Sequence, residues 1–210
     1  MDLLNKLAYD SDKSVSQSAI FALGLIGAGT NNSRLSGNLR YLATYYGSSP
    51  DQLFVVRISQ GLVHLGKGML GLSPMHSDKF LFSPVSLAGL ITVLYAATDM
   101  DTFICGKYHY FLYYLVLSMY PRMCITVNEK LENTKVSVKV GQAVDTVGAA
   151  GKPKTITGFQ IHDTPVLIGF GERAEFATEE FLGCNNIMEN FVIVKKNPDY
   201  EPEKDQEKKK

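Results

Sequence analysis

A chain of 210 residues with 45% hydrophobic and 20% charged content can bury a real core, and its length suits one domain or two small ones. Its 21 basic and 21 acidic residues cancel to a formal net charge of zero, which removes the electrostatic case for nucleic acid or acidic lipid as the principal partner. Three cysteines, Cys105, Cys124 and Cys184, are odd in number, widely spaced and in apolar surroundings, a pattern of reduced structural thiols in an intracellular protein.

The opening Met1-Asp2-Leu3-Leu4-Asn5-Lys6 lacks the charged region and apolar core of a secretory leader. From Ser14 to Gly29, Val15, Ala19, Ala22, Leu23 and Ile26 follow three- and four-residue spacing behind the cap candidates Asp12 and Ser14, which predicts a helix. A second helix is predicted from Asn32 to Tyr46 on Leu35, Leu39, Leu42 and Tyr46, and Gly47-Ser48-Ser49-Pro50 stops it. A new unit starts at Asp51. Shifting the sequence by 37 positions lays Gly24-Leu25-Ile26 on Gly61-Leu62-Val63, Gly29 on Gly66 and Phe21 on Ile58. Two helices per unit at that period are the signature of an α-solenoid, in which each unit buries its face against its neighbours. A glycine inside a helix costs about 1 kcal/mol against alanine, so its recurrence at Gly24 and Gly61 predicts close helix approach at both. Gly89-Leu90-Ile91 echoes the segment only 28 residues later. Two copies are fewer than the roughly three such arrays need, so the sequence reads as one end of a longer array.

Phe80 to Thr98 and Tyr108 to Tyr120 are strongly apolar, but Lys107 and Pro121 bracket the second to fewer than the roughly 20 residues a bilayer span requires, and Ser83-Pro84 and Ser86 interrupt the first near its start. They are read as buried core helices, with no membrane partner. Beyond Pro121 the period becomes two: Val136, Val138 and Val140 alternate with Ser137 and Lys139. Further predicted strands are Met123 to Val127, Gln142 to Val147, Lys154 to Ile161, Pro165 to Phe170 and Ile187 to Val194. Gly148 to Pro153 and His162-Asp163-Thr164-Pro165 read as hairpin connections. The expected fold is α+β. An α-helical repeat, the end of a solenoid or toroid, occupies residues 1–120, and a small antiparallel β-rich domain occupies 121–200. Glu201 to Lys210, with no apolar residue, is expected to form a disordered charged tail.

Motifs that could carry chemistry fail on inspection. Gly61-Leu62-Val63-His64-Leu65-Gly66-Lys67 satisfies the G-x-x-x-x-G-K core of a phosphate loop, but Gly68 stands where a magnesium-binding Ser or Thr is needed. The upstream spacing of Val55, Ile58 and Leu62 is also helical. Gly24 to Gly29 has the wrong glycine order for a dinucleotide loop. His64, His76, His109 and His162 are scattered, with no cysteine at ligand spacing, which argues against zinc. His162-Asp163 reads as a polar hairpin tip. Glu172, Glu175, Glu179 and Glu180 around Arg173 read as a solvated surface, with an acidic contact face for a basic partner as the alternative. No catalytic, cofactor-binding or metal residue is therefore assigned, no cofactor is expected, and the chain is not expected to be an enzyme.

From Leu4 to Tyr200 the sequence resembles the C-terminal portion of the large non-ATPase scaffold subunits of the proteasome regulatory particle. The resemblance rests on Gly24 to Asn32 and Gln60 to Gly68 as proteasome/cyclosome repeat segments. It rests further on Val140 to Asp145, Gly151 to Gln160, Gly171 to Glu175, Phe191-Val192-Ile193 and Lys196-Asn197-Pro198. It implies a non-catalytic subunit of the base subcomplex in cytoplasm and nucleus, beside the ATPase ring subunits and other regulatory-particle subunits. In the full-length family, ubiquitin, ubiquitin-like shuttle receptors and a deubiquitinase dock on the repeats. Most repeats are missing here and the receptor helices lie upstream of residue 1, so no partner-binding residue carries over. A stand-alone ubiquitin-pathway adaptor is the alternative reading.

Overall fold

The computed structural model describes residues 1–75, 82–144, 155–184 and 188–200. They divide into two compact units, Met1–Pro121 and Arg122–Lys210.

The first unit opens with four helices: α1 (Asp2–Leu7), α2 (Lys13–Ile26), α3 (Ser33–Tyr45) and α4 (Pro50–Val63). Local chemistry sets their starts. The Asp12 carboxylate accepts from the amides of Ser14 and Val15, the Asn32 side chain accepts from Leu35 N, and Pro50 occupies the first turn of α4. The loop after α2 closes two orphan carbonyls at the end of α4, with Gly29 N donating to Leu62 O at 2.9 Å and Asn31 N to Val63 O at 3.2 Å. The same 37-residue shift carries α1 onto the last turns of α3 and Tyr9 onto Tyr46, so α1 stands in the repeat register of a second helix. The Tyr46 hydroxyl ties these two helix ends together, donating to Ala8 O at 2.7 Å. Ile20, Phe21, Leu23, Leu35, Leu39, Val55, Val56 and Val63 form the shared core.

The second repeat is incomplete. Instead of a second helix, α4 runs into a 3₁₀ turn, Leu65–Gly68, and a short strand β1 (Leu70–Leu72), which pairs antiparallel with β2 (Met119–Pro121). Between them lie α5 (Pro84–Ala96) and a 3₁₀ stretch, His109–Ser118. The two apolar segments expected to be fully buried are not. In α5 only Ser86, Gly89 and Val93 are buried, and in the 3₁₀ stretch only Leu115 and Ser118, because each finds a partner on one face alone.

The second unit holds two sheets, with strand orders β6-β3-β9-β8 and β5-β4-β7. The strands are β3 (Met123–Val127), β4 (Ser137–Val144), β5 (Thr155–Asp163), β6 (Val166–Leu167), β7 (Glu172–Phe176), β8 (Phe181–Gly183) and β9 (Asn190–Lys196). Alternation places Val138 and Val140 inside with Cys124, Ile168, Ala174, Val192 and Val194. Pairing is antiparallel except that β3 runs parallel to β9. Three expectations change. The predicted strand from Gln142 is the second half of β4, joined to the first through a bulge between Val140 and Gln142. There a Cβ on Gly141 would meet Ile156 Cγ2 at 2.6 Å. The segment beginning at His162 is no loop, since β5 runs through Asp163 and the chain turns at the cis Thr164-Pro165 bond. Glu172 to Phe176, read as acidic surface, is the strand β7. The predicted connection at 148–153, the charged tail at 201–210, His76 and residue 187 lie outside the described residues.

Candidate functional site

Helix α2 carries glycine where α4 crosses it. A Cβ at Gly24 would lie 2.7 Å from Ser59 Cα, so the two backbones touch, and the Ser59 hydroxyl donates to Ile20 O at 2.9 Å. Gly89 does the same work elsewhere: a Cβ there would come within 2.6 Å of Tyr114 O, and Ser86 Oγ donates to Leu117 O at 2.7 Å beside it. Gly61 does not. It faces out of α4 with nothing within 4 Å of where a Cβ would stand, so the expected close approach at that position is corrected.

The loop that imitates a phosphate site follows a helix end rather than opening a helix. Carbonyls, not amides, converge there, the wrong dipole for an anion. Gly66, Lys67 and Gly68 all take positive φ, and a Cβ on Gly68 would overlap the Asn31 amide. That amide donates to Lys67 O at 2.9 Å, its oxygen meets His64 Nδ1 at 2.8 Å, and His64 Nε2 reaches Ser36 Oγ at 3.3 Å. The Gly66-Lys67-Gly68 segment is thus a latch between the two repeats, with Lys67 exposed beside it.

The other candidate groups are dispersed. His162 sits in β5 opposite Val138, and Asp163 accepts from Ser137 Oγ at 2.7 Å. Among the described residues no three His, Cys, Asp or Glu side chains gather into a metal-binding group. Cys124 is buried in β3, where burial pushes its thiol up to about 11. Cys105 and Cys184 are exposed, against the expectation of three apolar environments. Glu172 is more than a solvated carboxylate, since its Oε2 accepts from Gly169 N at 2.7 Å and pins the turn before β7. Burial lowers the Arg122 guanidinium below its usual range, against the pull of Glu172 and Glu189.

What the surface does present is apolar. Helix α5 exposes Ile91 (56%), Leu94 and Tyr95 (79%), and the 3₁₀ stretch exposes Tyr113 (72%), Val116 and Leu117. Isolated exposed apolar residues are ordinary, but several large ones on one helix and on the stretch packed against it mark an interaction surface. Periodicity could not find it, because a segment apolar all round looks the same whether neighbours cover one face or all of them. No helix among the described residues is long and apolar enough to cross a membrane.

Known proteins place this arrangement. The family described as 26S proteasome non-ATPase regulatory subunit RPN1 C-terminal matches residues 147–200, and the proteasome/cyclosome repeat matches residues 18–51, which take in the later part of α2 and all of α3. The 26S proteasome non-ATPase regulatory subunit 2 homolog A of Arabidopsis thaliana is 59% identical over 97% of this chain and 23% of its own length. The 26S proteasome non-ATPase regulatory subunit 2 of Dictyostelium discoideum is 54% identical over 94% of this chain and 22% of its own. The 26S proteasome regulatory subunit RPN1 of Encephalitozoon cuniculi retains 34% identity over 94% of this chain and 24% of its own. The chain spans less than a quarter of the length of these relatives. With both repeat and C-terminal regions matched and the alignments running over nearly the whole chain, the chain belongs to the family of 26S proteasome non-ATPase regulatory subunit 2.

Proposed function

We propose that this chain is a non-catalytic scaffold segment of the proteasome regulatory particle base, acting in cytoplasm and nucleus to support assembly and ubiquitin-dependent degradation. The observation that carries the reading is the exposed apolar surface on α5 and the 3₁₀ stretch, together with repeat helices whose glycines serve packing rather than ligand binding. A surface of Ile91, Leu94, Tyr95, Tyr113 and Val116 gains stability when a partner removes it from water, at roughly 25 cal/mol per Å² of apolar area. Its partners in this reading are the ATPase ring subunits and other regulatory-particle subunits. In the same reading, ubiquitin, ubiquitin-like shuttle receptors and a deubiquitinase are partners of the full-length family member.

The test is sedimentation of an epitope-tagged chain from cell extract, with immunoblotting for ATPase subunits. Wild type is expected to sediment with the regulatory particle, and the doubly substituted Ile91→Glu, Tyr95→Glu chain with free protein. Wild type found only as free protein overturns the proposal. Tight binding of labelled ubiquitin to the isolated chain would favour the stand-alone adaptor instead.

A further inference from the structure

The two sheets of the second unit end on four strands, β6, β8, β7 and β5. Natural sheets keep an edge from pairing with foreign backbone by making it short, by charging it, or by placing lysine or proline on it. Three of these edges are protected in that way. β6 has two residues and β8 three, and β7 carries Glu172, Arg173 and Glu175 among its five. β5 is different. It runs nine residues, Thr155–Asp163, holds neither lysine nor proline, and has β4 as its one strand partner among the described residues. Thr157 to Asp163 are exposed on both faces, Phe159 at 49% and Ile161 at 62%.

The pairing fixes which backbone groups face outward. Thr164 N donates to Val136 O at the start of the β4–β5 ladder, and Ala177 N donates to Ser137 O on the other side of β4. Bonded and non-bonded pairs alternate in an antiparallel ladder. Gln160 and His162 therefore bond to β4, while the N–H and C=O of Ile161 and Asp163 point away from it. The side chains of Phe159, Ile161 and Asp163 share one face: Lys139, paired with Ile161, holds its Nζ 5.2 Å from the Phe159 ring centre, and Ser137 Oγ donates to Asp163 Oδ1 at 2.7 Å. Among the described residues no basic side chain pairs with the Asp163 carboxylate.

We propose that β5 takes up an extended segment from outside these 210 residues as an added antiparallel strand, with a lysine or arginine opposite Asp163 and apolar residues opposite Ile161 and Phe159. The outward groups of Ile161 and Asp163 supply the backbone bonds, and the shared face supplies the selection. Charge favours this occupant over a second copy of the chain. The one titratable base in β5 is His162, on the opposite face, so pairing two β5 strands leaves Asp163 without a counter-charge. The edge belongs to the second unit and does not use the α5 surface, so this proposal and the function proposed above stand or fall separately.

NMR titration of the isotope-labelled chain with the capped peptide acetyl-Lys-Thr-Val-Thr-Tyr-amide tests it. Laid antiparallel, the peptide puts lysine opposite Asp163, valine opposite Ile161 and tyrosine opposite Phe159. The amides of Ile161 and Asp163 are expected to shift saturably and to slow in hydrogen exchange. Methylating the valine nitrogen removes the N–H that donates to Ile161 O and keeps every side chain, and it should weaken binding roughly ten-fold or more. Glutamate in place of the peptide lysine should weaken binding roughly two- to five-fold, and the Asp163→Lys chain is expected to reverse that preference. No saturable shift, shifts centred away from β5, equal binding of the methylated peptide, or a lysine preference unchanged in Asp163→Lys overturns the proposal.

Discussion

Gly24 and Gly61 occupy equivalent repeat positions, yet alanine should act on them in opposite directions. At Gly61 the added methyl meets nothing, so Gly61→Ala keeps only the gain in helix propensity and stabilises by about 0.5–1 kcal/mol. At Gly24 the same gain is available, but the methyl would stand 2.7 Å from Ser59 Cα and 2.8 Å from its Cβ and Oγ. The first of these is backbone and cannot rotate aside. Helices α2 and α4 must part by roughly 1 Å, a repacking that costs about 1–3 kcal/mol. Separation also strains the buried bond from Ser59 Oγ to Ile20 O, whose loss would leave an unpaired hydroxyl at about 1–3 kcal/mol. Net of propensity, Gly24→Ala should destabilise by about 1–4 kcal/mol. Thermal unfolding followed by circular dichroism at the helical band reads the difference directly. For a unit of this size roughly 3–5 °C per kcal/mol is expected, so the two variants should bracket wild type. A Gly24→Ala chain that melts with or above Gly61→Ala would refute the claim that the repeat glycine exists for helix contact.

Further outcomes follow from single environments. Gly68→Ala forces a side chain into a left-handed conformation and into the Asn31 amide. It should cost about 1–3 kcal/mol in urea unfolding, and an Asn31→Gly background should relieve the steric part of that loss while the backbone strain remains. The Gln17 amide is buried in α2 with no hydrogen-bond partner among the described residues, and the register places Phe54 at the equivalent site. Gln17→Met should therefore stabilise by about 1–2 kcal/mol, and a lower urea midpoint would contradict this. Of the three thiols, Cys105 and Cys184 should react with a maleimide in the native protein at pH 7, while Cys124, buried and raised to about 11, should react only after unfolding. Mass spectrometry showing three adducts on the folded chain would show the β3 core to be open.

Much of the fold was legible because it is written in local chemistry. Asp12, Asn32 and Pro50 mark helix starts through groups within three residues, and Val136, Val138 and Val140 announce a half-buried strand by alternation alone. The 37-residue recurrence likewise needs only the chain to be seen. Glu172 to Phe176 escaped notice because its charges hide a single inward residue, Ala174, whose burial depends on pairing with the distant Val140.

What the sequence by itself determined is the repeat, its caps, the change from helical to strand periodicity near Pro121 and the absence of a workable phosphate loop. Only the tertiary structure decided which glycine touches a neighbour and which apolar faces stay in water. Gly24 and Gly61 occupy the same repeat position, each followed by a leucine and a β-branched residue, and α5 is apolar nearly all round. Burial is a property of what arrives from elsewhere in the chain: Ser59 arrives at Gly24, Tyr114 at Gly89, and nothing at Gly61. That difference separates a packed seam from an open surface.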